Sequence, residues 1–238
     1  MMKRITYDTL RYYAYSNDKI CTRPIKGMVI DFFGLGATVM YDEDTPLGKM
    51  FAEQGVILLI PYNNPWAWMN PQAVAYTDEL VEVLFEHYQL PEDTKIVASG
   101  FSMGGMSSIT YCAHAKRTPV RCVANCPVCD LPFHFTERPD LPRTIYSAFF
   151  NCEDLDEALK DASPLHLAQN GALPDIFYDI FHCDKDMAVN IDAHTRRLVP
   201  LLNKDKLRFT VVAGKGHCEL PQDEWDMYVS SMLAPFKE

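Results

Sequence analysis

Long hydrophobic runs are absent from this sequence of 238 residues. The longest strongly apolar stretch covers only residues 56–61, whereas a membrane-spanning helix needs about 20 apolar residues. Polar residues recur at the N-terminus before any apolar run that could serve as the core of an export signal. The sequence therefore predicts a cytoplasmic protein that neither spans nor binds a membrane.

Runs of lysine or arginine are also absent, and the formal net charge is −10. Because a negatively charged protein repels phosphate backbones, we expect no binding to nucleic acid. Hydrophobic residues make up 48% of the chain and charged residues 23%, which is typical of a globular protein that can bury a full core. Its eight scattered cysteines are therefore expected to be free thiols rather than disulfides.

Short apolar runs alternate with amphipathic stretches along most of the chain, which is typical of an α/β fold with a mostly parallel sheet and helices on both faces. We predict strands at 5–15, 28–33, 56–61, 95–99, 120–124, 175–182 and 207–212. Helices are predicted at 46–54, 73–88, 103–115, 191–202 and 224–233. Between residues 126 and 174 the periodicity weakens, while prolines and aromatic residues accumulate. We predict a single domain over residues 1–238, with a short cap inserted at about 126–174.

The strongest functional signal is the sequence Gly-Phe-Ser-Met-Gly at residues 100–104, between a predicted buried strand and a predicted helix. A G-x-S-x-G sequence in this context makes a sharp turn that holds the serine hydroxyl out of the sheet. Its glycines let the neighbouring backbone approach closely. The helix that follows directs unpaired N–H groups and its positive dipole end toward Ser102. This arrangement indicates a nucleophilic serine.

These features resemble the α/β-hydrolase family, in which an acid and a histidine follow the serine in that order. Asp186, in the loop after the strand at 175–182, matches the position of the acid, with Asp184 as its competitor. His217, in Gly-Lys-Gly-His after the last predicted strand, matches the base. The separations, 186 − 102 = 84 and 217 − 186 = 31 residues, leave room for a cap before the acid and a helix plus a strand after it.

The resemblance implies that His217 removes the proton of Ser102 while Asp186 orients and stabilises the imidazole. The sequence Ala-Ser-Pro-Leu at 162–165 is similar to the branch that contains prolyl-oligopeptidase-type and dienelactone-hydrolase-type proteins. The implied activity is that of a carboxylesterase-like serine hydrolase acting on small-molecule esters of small to medium acyl groups. No cofactor or metal is required. A peptidase, thioesterase or lactone hydrolase with the same triad, and a non-catalytic binding protein with the same fold, remain alternatives.

In this family the oxyanion is bound by two backbone N–H groups. The resemblance assigns one of them to Met103, the residue after the nucleophile. The other belongs to Leu35, with Gly34 as an alternative, in the glycine loop after the strand at 28–33. Phe33 stands where many relatives have histidine, so the choice of the second donor stays open.

Aromatic residues in two segments are the candidates for a substrate pocket. Two of the three tryptophans follow the strand at 56–61, on the side where open α/β sheets bind ligands, although packing explains either one equally well. The cap contributes the remaining candidates. The predicted substrate-binding residues are Trp66, Trp68, Phe133, Phe135, Tyr146, Phe149 and Phe150.

Three further residues are interpreted as structural rather than catalytic or metal-binding. Cys126 and Cys129 form a C-x-x-C sequence, but no second such pair exists, so packing is favoured over a metal or redox role. His182, at the end of the strand before the acid loop, is interpreted as a hydrogen-bonded core histidine rather than a second base.

Overall fold

Seven strands form one sheet in the computed structural model, which describes residues 5–237. In chain order they are β1 (Ala14–Ser16), β2 (Gly27–Phe32), β3 (Val56–Pro61), β4 (Lys95–Phe101), β5 (Arg121–Asn125), β6 (Phe177–Cys183) and β7 (Leu207–Val212). Their order across the sheet is β1-β3-β2-β4-β5-β6-β7. β1 is antiparallel to β3, whereas the other neighbouring pairs are parallel. The predicted α/β class with a mostly parallel sheet is confirmed.

Nine α-helices lie in the part of the chain that the structure describes. They are α1 (Pro46–Glu53), α2 (Pro71–Tyr88), α3 (Met103–His114), α4 (Leu131–Glu137), α5 (Leu141–Phe149), α6 (Leu155–Asp161), α7 (Pro164–Gln169), α8 (Thr195–Leu198) and α9 (Gln222–Leu233). The four helices α4 to α7 all fall within the segment predicted as a cap. No helix within residues 5–237 is both long and apolar enough to cross a bilayer.

The parallel strands are apolar along their whole length because both faces of the sheet are covered. Successive side chains of a strand point to opposite faces. In β2, Met28 and Ile30 therefore pack with residues of α2 and α3, whereas Val29 packs with Phe51 of α1 and Tyr228 of α9. The sheet thus lies between two layers of helices, as predicted.

Two predicted elements differ from the structure. Residues 5–15, predicted as a strand, form a 3-10 helix at Tyr7–Tyr12, and the strand β1 begins only at Ala14. The alternation of apolar and polar residues in this segment does not reflect a sheet face. The hydroxyl of Tyr7 instead donates to Oδ2 of Asp18 at 2.6 Å. The helix predicted at 191–202 is reduced to α8 and a short 3-10 turn. Pro200 lacks the N–H group that would continue α8 at its C-terminal end.

Candidate active site

Ser102 sits at the sharp turn between β4 and α3. Its φ of 58° lies in the left-handed region, which is strained for any residue with a side chain. The turn is held on one side by the N–H of Ser102, which donates to the carbonyl of Asn125 at 2.9 Å. A Cβ on Gly104 would collide with the carbonyl of Phe32, and one on Gly100 with the backbone of Gly104. The turn can therefore form only because these two positions are glycines.

The structure brings together the three residues that the sequence predicts as a triad. Oγ of Ser102 lies 2.9 Å from Nε2 of His217, and Nδ1 of His217 lies 2.6 Å from Oδ2 of Asp186. The second carboxylate oxygen of Asp186 accepts the N–H groups of Ala188 and Val189 at 2.8 and 2.9 Å. The carboxylate is thus fixed by its own loop and orients the imidazole toward the serine.

Asp184, the competing acid, does not reach the histidine in this arrangement. Its Oδ1 accepts the N–H of Gly214 at 2.6 Å and so ties the acid loop to the histidine loop. His182 is fully buried, donates from Nε2 to the carbonyl of Val189 at 2.9 Å and contacts the hydroxyl of Thr195 through Nδ1 at 2.7 Å. Burial lowers the pKa of His182 to about 4, so this imidazole is neutral and supports the acid loop.

The electrostatics of the triad favour a protonated histidine beside an ionised acid. Burial raises the pKa of Asp186, but hydrogen bonds from His217 and from the backbone of Val189 and Ala188 outweigh it and hold the pKa below its ordinary value. Burial lowers the pKa of His217, but its interactions with Asp186 and Cys126 together outweigh burial and raise the pKa to about 9. An imidazolium is therefore stabilised at this position, as general base catalysis by histidine requires.

Three backbone N–H groups near the serine are available to bind an oxyanion. The N–H groups of Gly34, Leu35 and Met103 donate to no acceptor within residues 5–237. A Cβ on Gly34 would lie 3.9 Å from Cβ of Ser102, so this backbone passes directly beside the serine. Leu35 lines the same cavity as Ser102. The three predicted oxyanion donors are thus unpaired and near the serine, and the structure leaves both candidates for the second donor in place.

Ser102 opens into a cavity of about 390 Å³. Its walls are Gly34, Leu35, Trp68, Phe101, Ser102, His134, Arg138, Ala188, Val189, His217 and Cys218. No carboxylate side chain is among these described wall residues, and the one permanent cation, Arg138, is paired with Asp140 at 2.8 Å. The cavity therefore suits neutral substrates better than substrates with a free ammonium group.

The predicted pocket aromatics are only partly placed at this cavity. Trp68 lines the cavity. The other six predicted aromatic residues do not line it, and the prediction is corrected for Trp66, Phe133, Phe135, Tyr146, Phe149 and Phe150. Phe149 lines a separate cavity of about 510 Å³, and Trp66 and Phe150 line another of about 400 Å³. The physical reason lies in the faces of short helices. In α4, His134 points inward while its neighbour Phe133 is 42% exposed.

The cap supplies two wall residues that the sequence analysis missed, His134 and Arg138. His134 is 2% exposed, and Nδ1 lies 2.6 Å from Oε2 of Glu137, one helical turn later. The spacing His-x-x-Glu is a signal of side chains that meet on one helix face. This spacing therefore indicates a polar inward face of α4, in a segment where the prediction considered aromatic residues alone.

Three clusters in the described chain have side-chain atoms close enough to hold a metal ion. They are Cys126, His217 and Cys218; Cys126, His182 and Asp186; and His134, Glu137 and His194. No cluster within residues 5–237 contains both cysteines of the C-x-x-C sequence. All eight cysteines are free thiols. In the second cluster both nitrogens of His182 already have partners, so that cluster does not suit a metal.

No protein family and no curated protein matches the sequence. Solved structures do match. An S-formylglutathione hydrolase from Agrobacterium tumefaciens aligns with a TM-score of 0.63 and 15% identity over 89% of this chain and 82% of its own. A monoacylglycerol lipase from Paleococcus ferrophilus aligns with a TM-score of 0.62 and 13% identity over 93% of this chain and 98% of its own.

A dipeptidyl peptidase 4 from Porphyromonas gingivalis is also similar, with a TM-score of 0.67 and 14% identity over 91% of this chain. This chain spans only 32% of that peptidase. The strand order, the strained serine turn and these likenesses agree with the resemblance in the sequence. The chain has the α/β-hydrolase fold.

Proposed function

We propose that this protein is a serine hydrolase that cleaves esters of small to medium acyl groups. The observation that carries the proposal is the hydrogen-bonded series from Ser102 through His217 to Asp186, which opens into a cavity beside unpaired backbone N–H groups. A serine hydroxyl is almost never ionised at neutral pH, so it attacks a carbonyl only when a neighbouring base removes its proton.

In the proposed reaction, His217 takes the proton of Ser102 as Oγ attacks the ester carbonyl. The oxyanion that forms is stabilised by the N–H of Met103 and by that of Leu35 or Gly34. His217 then gives its proton to the leaving alcohol. Departure of the alcohol produces an acyl-enzyme. Water attacks the acyl-enzyme in a second cycle of the same steps and releases the acid.

The cavity supports an ester of modest size. Its volume of about 390 Å³ is near the lower end of the range for small-molecule sites. A peptidase that binds a free N-terminal amine needs a carboxylate in its pocket, and the described walls have none. The similar hydrolases include both an esterase-type enzyme and a peptidase, so this wall chemistry is what favours esters here.

The test is covalent labelling with a fluorophosphonate probe, followed by turnover of a substrate panel. Wild type should be labelled at Ser102, and Ser102→Ala should not. Among chromogenic esters, thioesters, lactones and aminoacyl amides, we expect the highest kcat/KM for esters. A labelled protein that prefers amides would replace the ester proposal with the peptidase alternative. A protein that is neither labelled nor active would be a binding protein with this fold.

A further inference from the structure

His134, Glu137 and His194 form a buried polar cluster in the wall of the Ser102 cavity that the proposed chemistry does not use. Oε2 of Glu137 lies 2.6 Å from Nδ1 of His134 and 3.1 Å from Nε2 of His194. Both imidazoles are almost fully buried. One carboxylate oxygen thus joins two histidines, one of which faces the cavity.

Backbone donors determine which nitrogen of His194 carries the proton. The N–H groups of Cys129 and Asp130 both donate to Nδ1 of His194, each at 3.2 Å. Nδ1 is therefore an acceptor, and Nε2 must carry the hydrogen that is donated to Glu137. A metal ion between the three side chains would have to replace that hydrogen and leave an anionic imidazole. The cluster is consequently a hydrogen-bonded unit and not a metal site.

The same carboxylate determines the protonation of His134. Burial raises the pKa of Glu137, but the hydrogen bonds from His134 and His194 outweigh it and lower the pKa to about 2. The ionised carboxylate can only accept, so Nδ1 of His134 donates. Burial lowers the pKa of His134, which keeps the imidazole neutral. Nε2 of His134 is then left with a free lone pair.

The nitrogen with this lone pair belongs to a residue of the cavity wall. Within residues 5–237 no group forms a hydrogen bond with Nε2 of His134, and this atom is not among the fully enclosed polar atoms that lack a partner. His134 is only 2% exposed, and it lines the cavity that contains Ser102. The ring makes a T-shaped contact with Trp68, with ring centroids 5.6 Å apart. An oriented acceptor is thus presented to whatever occupies the cavity.

We propose that Nε2 of His134 accepts a hydrogen bond from a hydroxyl or N–H group of the substrate, so that the enzyme selects esters that carry such a donor near the scissile bond. The inference rests on the proposed hydrolase function and adds a substrate class to it. A purely apolar ester would cover this nitrogen without a partner, which costs binding free energy. His134 is a specificity residue, and Glu137 and His194 position it.

The test uses matched ester pairs that differ by one hydroxyl, placed in turn at successive carbons of a butyryl group and of the alcohol. For at least one pair, wild type should hydrolyse the hydroxylated member with about tenfold higher kcat/KM. His134→Leu should reduce that ratio to about one. His166→Leu makes the same chemical change in α7, at a residue that is not among the walls of the cavity, and should keep the wild-type ratio.

Glu137→Met provides a second variant outside the cavity wall, with a side chain of similar length. Its thioether is too weak an acceptor to hold the proton on Nδ1 of His134, so Nε2 is no longer fixed as the acceptor and the ratio should fall as in His134→Leu. This variant also replaces His134→Leu if the latter does not fold. A wild type without a preference in any pair, or variants that keep the wild-type preference, would overturn the inference.

Failure of the inference can be separated from failure of the proposed function. If no ester is hydrolysed and Ser102 is not labelled, the function is wrong, and the same pairs are then compared by calorimetric binding to the wild type and the variants. About tenfold tighter binding of one hydroxylated ester, lost in His134→Leu, would support the acceptor without any turnover. Equal binding within every pair would reject it.

Discussion

The hydroxyl of Tyr228 lies 3.0 Å from the backbone nitrogen of Gly100, directly beneath the turn that carries Ser102. The same hydroxyl is 3.1 Å from the carbonyl oxygen of Val123 in the neighbouring strand. Tyr228 belongs to α9 and is fully buried. The last helix therefore fixes the serine turn through one side-chain oxygen.

Tyr228→Phe should destabilise the fold, because it leaves the buried N–H of Gly100 without this acceptor. Loss of one partner of a buried hydrogen bond costs about 1–3 kcal/mol, and each kcal/mol corresponds to roughly 2–4 °C in a protein of this size. Thermal unfolding measures the change, with Tyr146→Phe at an exposed tyrosine as the control. An unchanged Tm in Tyr228→Phe would mean that the turn is held by its glycines and backbone contacts alone.

Ser102→Ala should abolish labelling and lower ester hydrolysis by at least about 1,000-fold, because the members of a triad act as a unit. The substitution removes one oxygen at a partly exposed site, so the far-UV circular dichroism spectrum and Tm should stay close to wild type. Turnover near the wild-type rate in a folded variant would show that another residue is the nucleophile.

The two acids of the loop should behave differently when each is replaced by asparagine. Asp186→Asn removes the charge that orients His217 and should lower kcat by about a hundredfold to ten-thousandfold. Asp184 only accepts the N–H of Gly214, so Asp184→Asn should lower kcat by no more than several-fold. The kinetics of both variants are measured side by side with one ester. The reverse order of losses would assign the acid to Asp184.

The pH dependence of kcat/KM should report the protonation of His217. An imidazolium cannot accept the proton of Ser102, so activity should rise with pH and level off once the ring is neutral. Because Asp186 and Cys126 together raise the pKa of His217 from its ordinary value of 6.5 to about 9, the midpoint should lie above 6.5 and up to about 9. The residual activity of Asp186→Asn should show a lower midpoint. A wild-type midpoint below 6.5 would contradict this account.

Much of the fold could be predicted because burial on both faces leaves a strong signal in the sequence. The run at 56–61 is apolar throughout and coincides with β3. The loops of the candidate site were equally visible, because close backbone approach and positive φ favour glycine. Gly104 packs against β2, and Gly214 has a φ of 72°. Ser102 and His217 could be found from such backbone requirements.

The walls of the cavity could not be predicted in the same way. The cap consists of helices of six to nine residues, which are too short for periodicity to show which face is buried. Residue type was therefore the remaining guide, and it pointed to the aromatic residues. In α5 this choice included both Tyr146, which is 56% exposed, and Phe149, which is buried away from Ser102. The inward direction of His134 also depends on His194, which Glu137 joins to it from 57 residues away, and that contact follows from tertiary packing.

Trp68 should be the aromatic residue that limits the size of the acyl group, because it is the one predicted pocket aromatic at the Ser102 cavity. Its side chain is 1% exposed, and its indole nitrogen lies 3.3 Å from Oγ1 of Thr144, which fixes the ring. Trp68→Phe should enlarge the cavity and shift the preferred acyl chain to a longer one. Each additional buried methylene contributes about 0.8 kcal/mol, or roughly fourfold in kcat/KM.

Phe150→Ala is the matched control, because Phe150 is 63% exposed and lies outside the Ser102 cavity. It should leave the profile of kcat/KM against acyl length unchanged, and both variants should still be labelled at Ser102 by a small fluorophosphonate. The profiles are measured with a series of p-nitrophenyl esters from acetate to octanoate. A profile that shifts in Phe150→Ala but not in Trp68→Phe would show that the exposed cap aromatics close over the substrate and that the wall formed by Trp68 does not set its length.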